Sequence, residues 1–263
     1  VRFIRDGAVY AIELATGEEA RLTPLAEPDK AISYGVAEFV AQEEMSRYTG
    51  YWWSGDDRYL AFTKVDESTV DIIPRFDIAA EDVTVINQRY PRAGRPNAMV
   101  DLFVRNMETG EVTEVNWRRD DWGPATDQYL TRVNWSGDHV FVQRVDRKQK
   151  HIEEVAFEVS KPAATSPQQA WRVETQPQFA NLTFDRSQRE ELVFYSSEES
   201  GFRHIYMAEF AGADTGEQNK RALTEGDWAI DELKFVSRNA DYFLFTGYTD
   251  TPLERHLYRH SSG

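Results

Sequence analysis

The chain has 263 residues, of which 41% are hydrophobic, and its 45 acidic and 30 basic residues give a formal net charge of −15. This balance disfavours a nucleic-acid partner, which needs clustered lysine and arginine, and suits basic or amino-terminal ligands better. No apolar run approaches the ~20 residues that cross a bilayer, so we expect no membrane span, and the absence of cysteine excludes disulfides and thiolate metal sites.

The first predicted element is a strand that ends in a Thr-Gly turn, at residues 9–17. The same phrase recurs at residues 102–110 and 205–216, and a Leu-Thr pair follows the first and last copies. Glycine suits such a tight turn because it adopts positive φ without a Cβ clash. The recurrence indicates a repeated unit of β-structure.

Residues 36–44 have helical spacing. The spacing of Val36, Phe39 and Val40 predicts a short helix that buries these three side chains as one stripe. Glu43 and Glu44 then lie in its last turn, about 100° apart around the axis. Two adjacent carboxylates at a helix C-terminus are disfavoured by the helix dipole and by each other, so this arrangement indicates a cationic partner.

The competing interpretation is that Glu43 and Glu44 are simply solvated in a very acidic chain. The chain has other glutamate pairs to which the same argument could be applied, at residues 18–19, 153–154, 190–191 and 198–199. From the residues alone, both interpretations stay open.

A second phrase is centred on four serines, Ser54, Ser136, Ser187 and Ser237, which follow one another at steps of 82, 51 and 50 residues. Each serine is followed within a few residues by an apolar run. Short aromatic and β-branched runs at a period near fifty are typical of β-propellers, with one four-stranded antiparallel sheet per blade. We predict an all-β, partial β-propeller with one short helix, in which Trp53 and Trp135 are core residues.

The long first step predicts a normal blade plus an insertion at residues 68–98. Its apolar side chains lie outside the blade pattern, and an isolated hairpin cannot bury them by itself. They are Ile72, Ile73, Phe76, Ile78, Val83, Val85 and Ile86. We expect an extended arm that makes a subunit contact, with an arm folded back on its own propeller as the alternative.

The sequence lacks a Gly-x-Ser-x-Gly elbow, a His-Glu-x-x-His zinc motif and the glycine-rich nucleotide loops. His256 and His260 stand four residues apart, but their segment has a strand pattern, so we predict no metal and no cofactor. The chain begins without Met and within a repeat. We therefore expect residues 1–263 to be a fragment of about three complete and two incomplete blades.

Several segments resemble one family of proteins. They are residues 35–56 with the Glu-Glu and Trp-Trp-Ser phrases, residues 65–70, the Tyr-Pro-x-Ala-Gly-x-x-Asn phrase at residues 90–97, residues 100–104, 199–206 and 226–228. In this order they resemble the N-terminal β-propeller domain of bacterial dipeptidyl peptidase IV-like serine exopeptidases, of the prolyl oligopeptidase superfamily.

The resemblance implies a propeller that covers the active site of an α/β-hydrolase domain on the same chain, which would carry the Ser, Asp and His downstream of Gly263. It implies that Glu43 and Glu44 hold the free amino terminus of a peptide substrate, so that dipeptides are released after Pro or Ala. It also implies a homodimer joined through the arm, and a periplasmic or secreted location. This chain alone is expected to be inactive.

Two other classes of function share part of this pattern. A non-catalytic propeller scaffold that binds proteins would share the blade phrases, but it has no need for Glu43 and Glu44. A propeller glycosidase would need inward carboxylates at separated blades, and no Asp or Glu recurs at equivalent positions. A Gly-x-Ser-x-Gly motif in the intact gene would separate these classes from a peptidase.

Overall fold

The computed structural model describes residues 1–79, 81–160, 172–175, 183, 186–189, 192–210 and 217–263. These residues are mostly in antiparallel β-strands, with one α-helix, α1 (Phe39–Met45). Short 3-10 helices lie at Pro28–Lys30, Asp120–Trp122 and Ala125–Asp127. The chain divides into two compact units, Val1–Tyr129 and Leu130–Gly263. The predicted all-β class with a short helix is confirmed.

The first unit is built from strands β1 (Arg2–Arg5), β2 (Ala8–Ile12), β3 (Glu19–Arg21), β4 (Ile32–Tyr34), β5 (Tyr51–Trp53), β6 (Tyr59–Asp66), β7 (Ile72–Ile78), β8 (Val83–Arg89), β9 (Met99–Asn106) and β10 (Val112–Val115). Strands β1, β2 and β3 form one sheet in that order. A second sheet has the order β10-β9-β6-β4, and β5 also pairs with β6. This five-stranded sheet carries α1 between β4 and β5.

The following strands are β11 (Gln128–Ser136), β12 (His139–Asp146), β13 (His151–Glu158), β14 (Arg172–Thr175), β15 (Arg186–Arg189), β16 (Leu192–Ser197), β17 (His204–Phe210), β18 (Glu217–Ala222), β19 (Ile230–Val236), β20 (Tyr242–Gly247) and β21 (His256–Ser261). They form two four-stranded sheets, β11 to β14 and β15 to β18, each in sequence order, and a three-stranded sheet, β19 to β21. Two sheets thus have the predicted four strands, whereas the others described have two, three or five.

The serine phrase has a local structural cause. After β5, the Ser54 hydroxyl accepts a hydrogen bond from the backbone N–H of Tyr59 at 2.9 Å. After β19, the Ser237 hydroxyl accepts from the N–H of Tyr242 at 3.1 Å. Each serine therefore fixes the turn that leads into the next strand, as short hydroxyl side chains commonly do.

The Leu-Thr phrase also marks one recurring contact. The Thr23 hydroxyl accepts a hydrogen bond from the N–H of Val9, and the Thr224 hydroxyl accepts from the N–H of Ile205, both at 2.9 Å. In each sheet the threonine hydroxyl therefore adds one more hydrogen bond to the strand that carries Val9 or Ile205, at the place where backbone pairing ends. The third Thr-Gly turn, at residues 215–216, lies outside the described residues.

Trp53 and Trp135 are less buried than predicted, although Trp53 packs against a core cluster. Trp53 and Trp135 are half-buried, and the Arg2 guanidinium lies 4.0 Å from the centroid of the Trp53 ring. Trp53 thus lies at the edge of the first unit's hydrophobic core, with the guanidinium of Arg2 over one face of its ring. Among the described tryptophans, the one that is fully buried is Trp117, which is 1% exposed and donates its indole N–H to the carbonyl of Val100 at 3.2 Å.

Strands β7 and β8 form a hairpin inside the predicted insertion. They pair with each other over seven residues, from Ile72 opposite Arg89 to Ile78 opposite Val83, and they belong to no other described sheet. Strand β6, which precedes the hairpin, pairs directly with β9, which follows it. The hairpin is therefore an excursion from a continuous sheet.

Candidate functional site

Helix α1 interrupts the edge of a sheet. On one side of β6, strand β4 pairs with Lys64 to Asp66, and β5 pairs with Leu60 to Phe62. Thr63 lies between the two pairings: its N–H donates to Gly50 O and its carbonyl accepts from Gly35 N, both at 2.8 Å. The chain thus leaves the sheet after β4, forms α1 and returns to the same strand.

The two ends of this excursion are in direct contact. The Thr63 hydroxyl donates to the carbonyl of Val36 at 2.8 Å, and Gly50 N donates to Gly35 O at 2.9 Å. A Cβ at Gly50 would lie 2.2 Å from both the Thr63 hydroxyl and the Val36 carbonyl. Only glycine fits there, so the closure that holds α1 against the sheet depends on it.

A buried ion pair spans the helix from the residue before it to the second residue after it. Arg47 Nη2 donates to Glu38 Oε2 at 2.7 Å, and the side chains are only 4% and 6% exposed. Arg47 Nη1 also donates to the carbonyl of Thr49 at 3.0 Å. Because neither charge can be hydrated well, each depends on the other. Sequence analysis missed this pair, whose only signal is one acid and one base at the two ends of a short apolar helix.

The helix begins at Phe39, three residues later than predicted, so that Val36 lies outside it, and it has a different buried face. Ala41 and Met45 are buried, at successive turns, whereas Val36, Phe39 and Val40 are half-buried. The predicted stripe is therefore wrong. The Phe39 ring packs edge-on against Tyr90, with ring centroids 5.0 Å apart, so this predicted core residue contacts the base of the β7–β8 hairpin instead.

Glu43 and Glu44 lie in the last turn of α1, as predicted, and both are exposed. Among the described residues, neither side chain has a hydrogen-bond or ion-pair partner. The helix ends at Ser46, which adopts a left-handed conformation with φ 51°, and no lysine or arginine stands in its last turn. The two exposed carboxylates thus have no counter-ion among the described residues.

The other glutamate pairs in the described part of the chain differ from this one. Glu153 and Glu154 are buried and bound by Arg144 and Arg186, respectively. Glu19 pairs with Arg5, and Glu199 pairs with Lys220. In each of these pairs the fold supplies a cation to at least one carboxylate. For Glu43 and Glu44 the described residues supply none, although these charges stand at the unfavourable end of a helix.

The Tyr-Pro-x-Ala-Gly-x-x-Asn phrase holds the base of the hairpin. Arg92 and Arg95 both bind the carboxylate of Asp71, at 2.6 and 3.0 Å. Their hydrogen bonds, that of Arg95 first, lower the pKa of Asp71 to about 2. The final Asn97 is buried and donates to the carbonyl of Thr126 and the hydroxyl of Tyr129. The phrase therefore fixes the hairpin stem near α1.

A further acidic side chain, Glu67, lies close enough to Glu38 for their charges to interact. Burial raises the pKa of Glu67 above its ordinary value, while Arg89 acts to lower it and Glu38 to raise it.

No three His, Asp or Glu side chains of the described residues are grouped as a metal site. His256 and His260 both lie in β21, exposed, and not on a helix. The arrangement at α1 suits an organic cation.

The family described as Dipeptidyl peptidase IV (DPP IV) N-terminal region matches residues 1–262. The chain belongs to this family. The predicted resemblance to the N-terminal domain of a dipeptidyl peptidase IV-like peptidase is thereby confirmed.

Individual relatives agree with the dipeptidyl peptidase IV family. The chain is 26% identical to a probable dipeptidyl-aminopeptidase B of Aspergillus niger and 27% identical to a probable dipeptidyl peptidase 4 of Aspergillus fumigatus, covering 98% of this chain in both cases. It covers 30% and 34% of those relatives, and so spans about a third of their length.

The fold agrees with a solved member. The crystal structure of Porphyromonas gingivalis dipeptidyl peptidase 4 matches 99% of this chain with a TM-score of 0.81 at 21% identity, and the chain covers 36% of it. The several antiparallel sheets are thus those of the dipeptidyl peptidase IV fold. These relatives are fungal and the solved structure is bacterial, so the predicted bacterial origin stays a prediction. In the described part of the chain, no helix is long and apolar enough to span a bilayer.

Proposed function

We propose that this chain is the domain of a serine dipeptidyl peptidase that gates the active site and binds the amino terminus of the substrate. Glu43 and Glu44 receive the α-ammonium, and dipeptides are released after Pro or Ala. The observation that carries this proposal is the glutamate pair of α1, which is exposed and has no partner in the described residues, in a fold that neutralises other such pairs.

The chemistry of a free amino terminus fits this pair. Its pKa is near ~7.7, so it is largely cationic at neutral pH, whereas an internal peptide nitrogen has no charge. An ammonium has three N–H donors, and two adjacent carboxylates offer more than enough acceptors. Because the segments before and after α1 are both bound to Thr63 of β6, the pair stands at a fixed place and would measure the distance to the bond that is cleaved.

The remaining parts of the proposal concern the full-length protein. The chain spans about a third of its relatives' length, and we propose that an α/β-hydrolase domain elsewhere in the protein carries the catalytic triad. The sheets of the two units would be blades of a propeller, about three complete and two incomplete. The similarity to solved dipeptidyl peptidases supports this arrangement.

A substrate comparison with the full-length protein tests the proposed function. We expect release of the chromophore from Gly-Pro and Ala-Pro anilides with a free amine, and a loss of about 10²-fold or more in kcat/KM when the amine is acetylated. Acetylation keeps the peptide geometry and removes the charge. Equal turnover of the two forms would contradict binding of the ammonium, and a protein without hydrolytic activity would favour the scaffold.

We further propose that the β7–β8 hairpin joins two subunits. Phe76, Ile78, Val83 and Val85 lie on one face of it, since Phe76 is opposite Val85 and Ile78 is opposite Val83. These side chains are 53 to 76% exposed. An apolar hairpin face of this kind is costly in water and suits a protein contact.

Deletion of residues 71–88 from the full-length protein should convert a dimer to a monomer, measured by light scattering. The double substitution Phe76→Asp, Val85→Asp should do the same while leaving the hairpin in place, because it puts charges in a desolvated contact. Arg75→Gln, on the opposite face of β7, is the matched control and should stay dimeric. An unchanged mass of the deletion variant would rule out the hairpin as the subunit contact.

A further inference from the structure

A cleft of about 480 Å³ opens in the first unit, between the first and second sheets and apart from α1. Its walls contain three cationic side chains, Arg21, Lys64 and Arg105, and the aromatic rings of Tyr34, Phe62 and Phe103. None of the described residues that line it is acidic. In a chain with a net charge of −15, a concave surface with only positive charges is a local reversal of sign.

The pairing of β6 with β9 explains why rings and cations share one face. Phe62 is opposite Phe103, and the two rings are stacked with centroids 5.6 Å apart. Lys64 and Arg105 are each two residues from these phenylalanines, in β6 and β9 respectively, so they project from the same side of the sheet. The result is an aromatic floor with a cation at either end.

Only part of the hydrogen-bonding capacity of Arg105 is used within the described fold. Its Nη1 donates to the carbonyl of Leu22 at 3.1 Å, whereas its Nε is buried and has no partner in the described residues. The edge of a guanidinium that carries Nε and Nη2 matches the two oxygens of a carboxylate. A buried N–H without an acceptor is costly, and an anionic ligand would supply one.

The other two cations are also weakly engaged. Lys64 Nζ is 3.5 Å from Asp101 Oδ2, while Arg118 binds Asp101 Oδ1 at 2.6 Å. Asp101 is therefore neutralised mainly by Arg118. Arg21 is exposed, and no carboxylate of the described residues pairs with it. The cleft retains an excess of positive charge.

We propose that this cleft binds a carboxylate joined to an aromatic or apolar group. The carboxylate binds the guanidinium of Arg105 at one end of the cleft, and the apolar part packs on Phe103 toward the other end, where Lys64 adds positive charge. The ligand is either a free small organic acid or the carboxyl end of a peptide, since both present the same groups. This site is separate from the glutamates of α1, so it does not depend on the function proposed for them.

Calorimetric titration of the full-length protein with 3-phenylpropionate, and with 3-phenylpropionamide as its neutral analogue, tests the proposal. We expect the acid to bind and the amide to bind at least tenfold more weakly. Arg105→Gln should weaken binding of the acid by about ten- to hundredfold, the contribution of charge-assisted hydrogen bonds. Arg75→Gln removes the same charge from the hairpin and should leave the affinity unchanged.

Because Arg105 also holds Leu22, Lys64→Met serves as a second variant and should weaken binding without removing that contact. N-acetyl-Ala-Phe and its carboxamide are the peptide arm: tighter binding than 3-phenylpropionate would identify a peptide end as the ligand, and weaker binding a small acid. Equal affinity for 3-phenylpropionate and its amide, no heat of binding up to ~10 mM, or wild-type affinity in both cleft variants would each overturn the proposal.

Discussion

Replacing Glu43 and Glu44 together by glutamine in the full-length protein should lower kcat/KM for free-amine dipeptide anilides by about 10²–10⁴-fold. Each charge-assisted hydrogen bond to the substrate ammonium contributes roughly 1.5–3 kcal/mol, and both would be lost. Glutamine keeps the size and the hydrogen-bonding shape of glutamate, so the change isolates the charge. Each single substitution should have a smaller effect than the pair.

The control for this experiment is another exposed pair. Glu18→Gln with Glu19→Gln removes the same two charges at a site remote from α1 in sequence, and should change kcat/KM by less than about twofold if only net charge is altered. Amine-acetylated substrates provide a second control, because they have no ammonium to bind. The double variant should process them as poorly as the wild type does.

The pH dependence of the wild type gives an independent check. Preference for free-amine over acetylated substrates should fall as the pH rises above the amine pKa near ~7.7, since the substrate then loses the charge that the glutamates bind. The double glutamine variant should have no such dependence. If wild type and double variant hydrolyse free-amine substrates equally, Glu43 and Glu44 are only a solvated acidic pair, and the proposed role of α1 is wrong.

The sequence alone predicted the features that recur because the same local hydrogen bond is made in more than one sheet. Ser54 and Ser237 recur because each hydroxyl fixes a turn within five residues. Thr23 and Thr224 recur because each continues the ladder of the preceding strand. Where such a contact recurs in another sheet, it needs the same residue type at the same place, so it appears in the sequence as a repeated phrase. The strand pattern, and with it the fold class, follows.

The position of α1 was also predictable, but its packing was not. A two-turn helix has several overlapping apolar stripes, and periodicity cannot decide between Val36, Phe39 and Val40 on one side and Ala41 and Met45 on the other. The choice is made by Thr63, Gly50 and the Glu38–Arg47 pair, through contacts between residues up to 27 positions apart. No local pattern contains that information.

The glutamates illustrate the same limit in the candidate site. In the sequence alone, the Glu-Glu pairs at residues 43–44, 153–154 and 198–199 cannot be told apart. The structure separates them, because Arg186 reaches Glu154 from 32 positions away and Lys220 reaches Glu199 from 21. Glu43 and Glu44 differ because none of the described residues supplies a cation to them. Only the three-dimensional structure can show this.

The second large effect is expected at Arg47. Arg47→Met should destabilise the α1 excursion by about 3–5 kcal/mol, because it leaves the Glu38 carboxylate buried without its counter-charge. Since α1 carries Glu43 and Glu44, we expect kcat/KM for free-amine substrates to fall in parallel. Arg47 is a positioning residue in this view, as it binds Glu38 and Thr49.

Hydrogen exchange of the α1 amides in the full-length protein measures the loss directly, because local opening is reported there even where global unfolding is not two-state. The matched control is Arg58→Met, which breaks the exposed pair of Arg58 with Asp56 and should cost less than about 1 kcal/mol. Adding Glu38→Leu to Arg47→Met removes both buried charges and should restore much of the protection. Because only the position of α1 is altered, activity on acetylated substrates should stay near the wild-type level in all three variants. If exchange of residues 39–45 were the same in Arg47→Met as in Arg58→Met, the buried pair would not hold the helix, and the closure at Thr63 and Gly50 would be sufficient to position the glutamates.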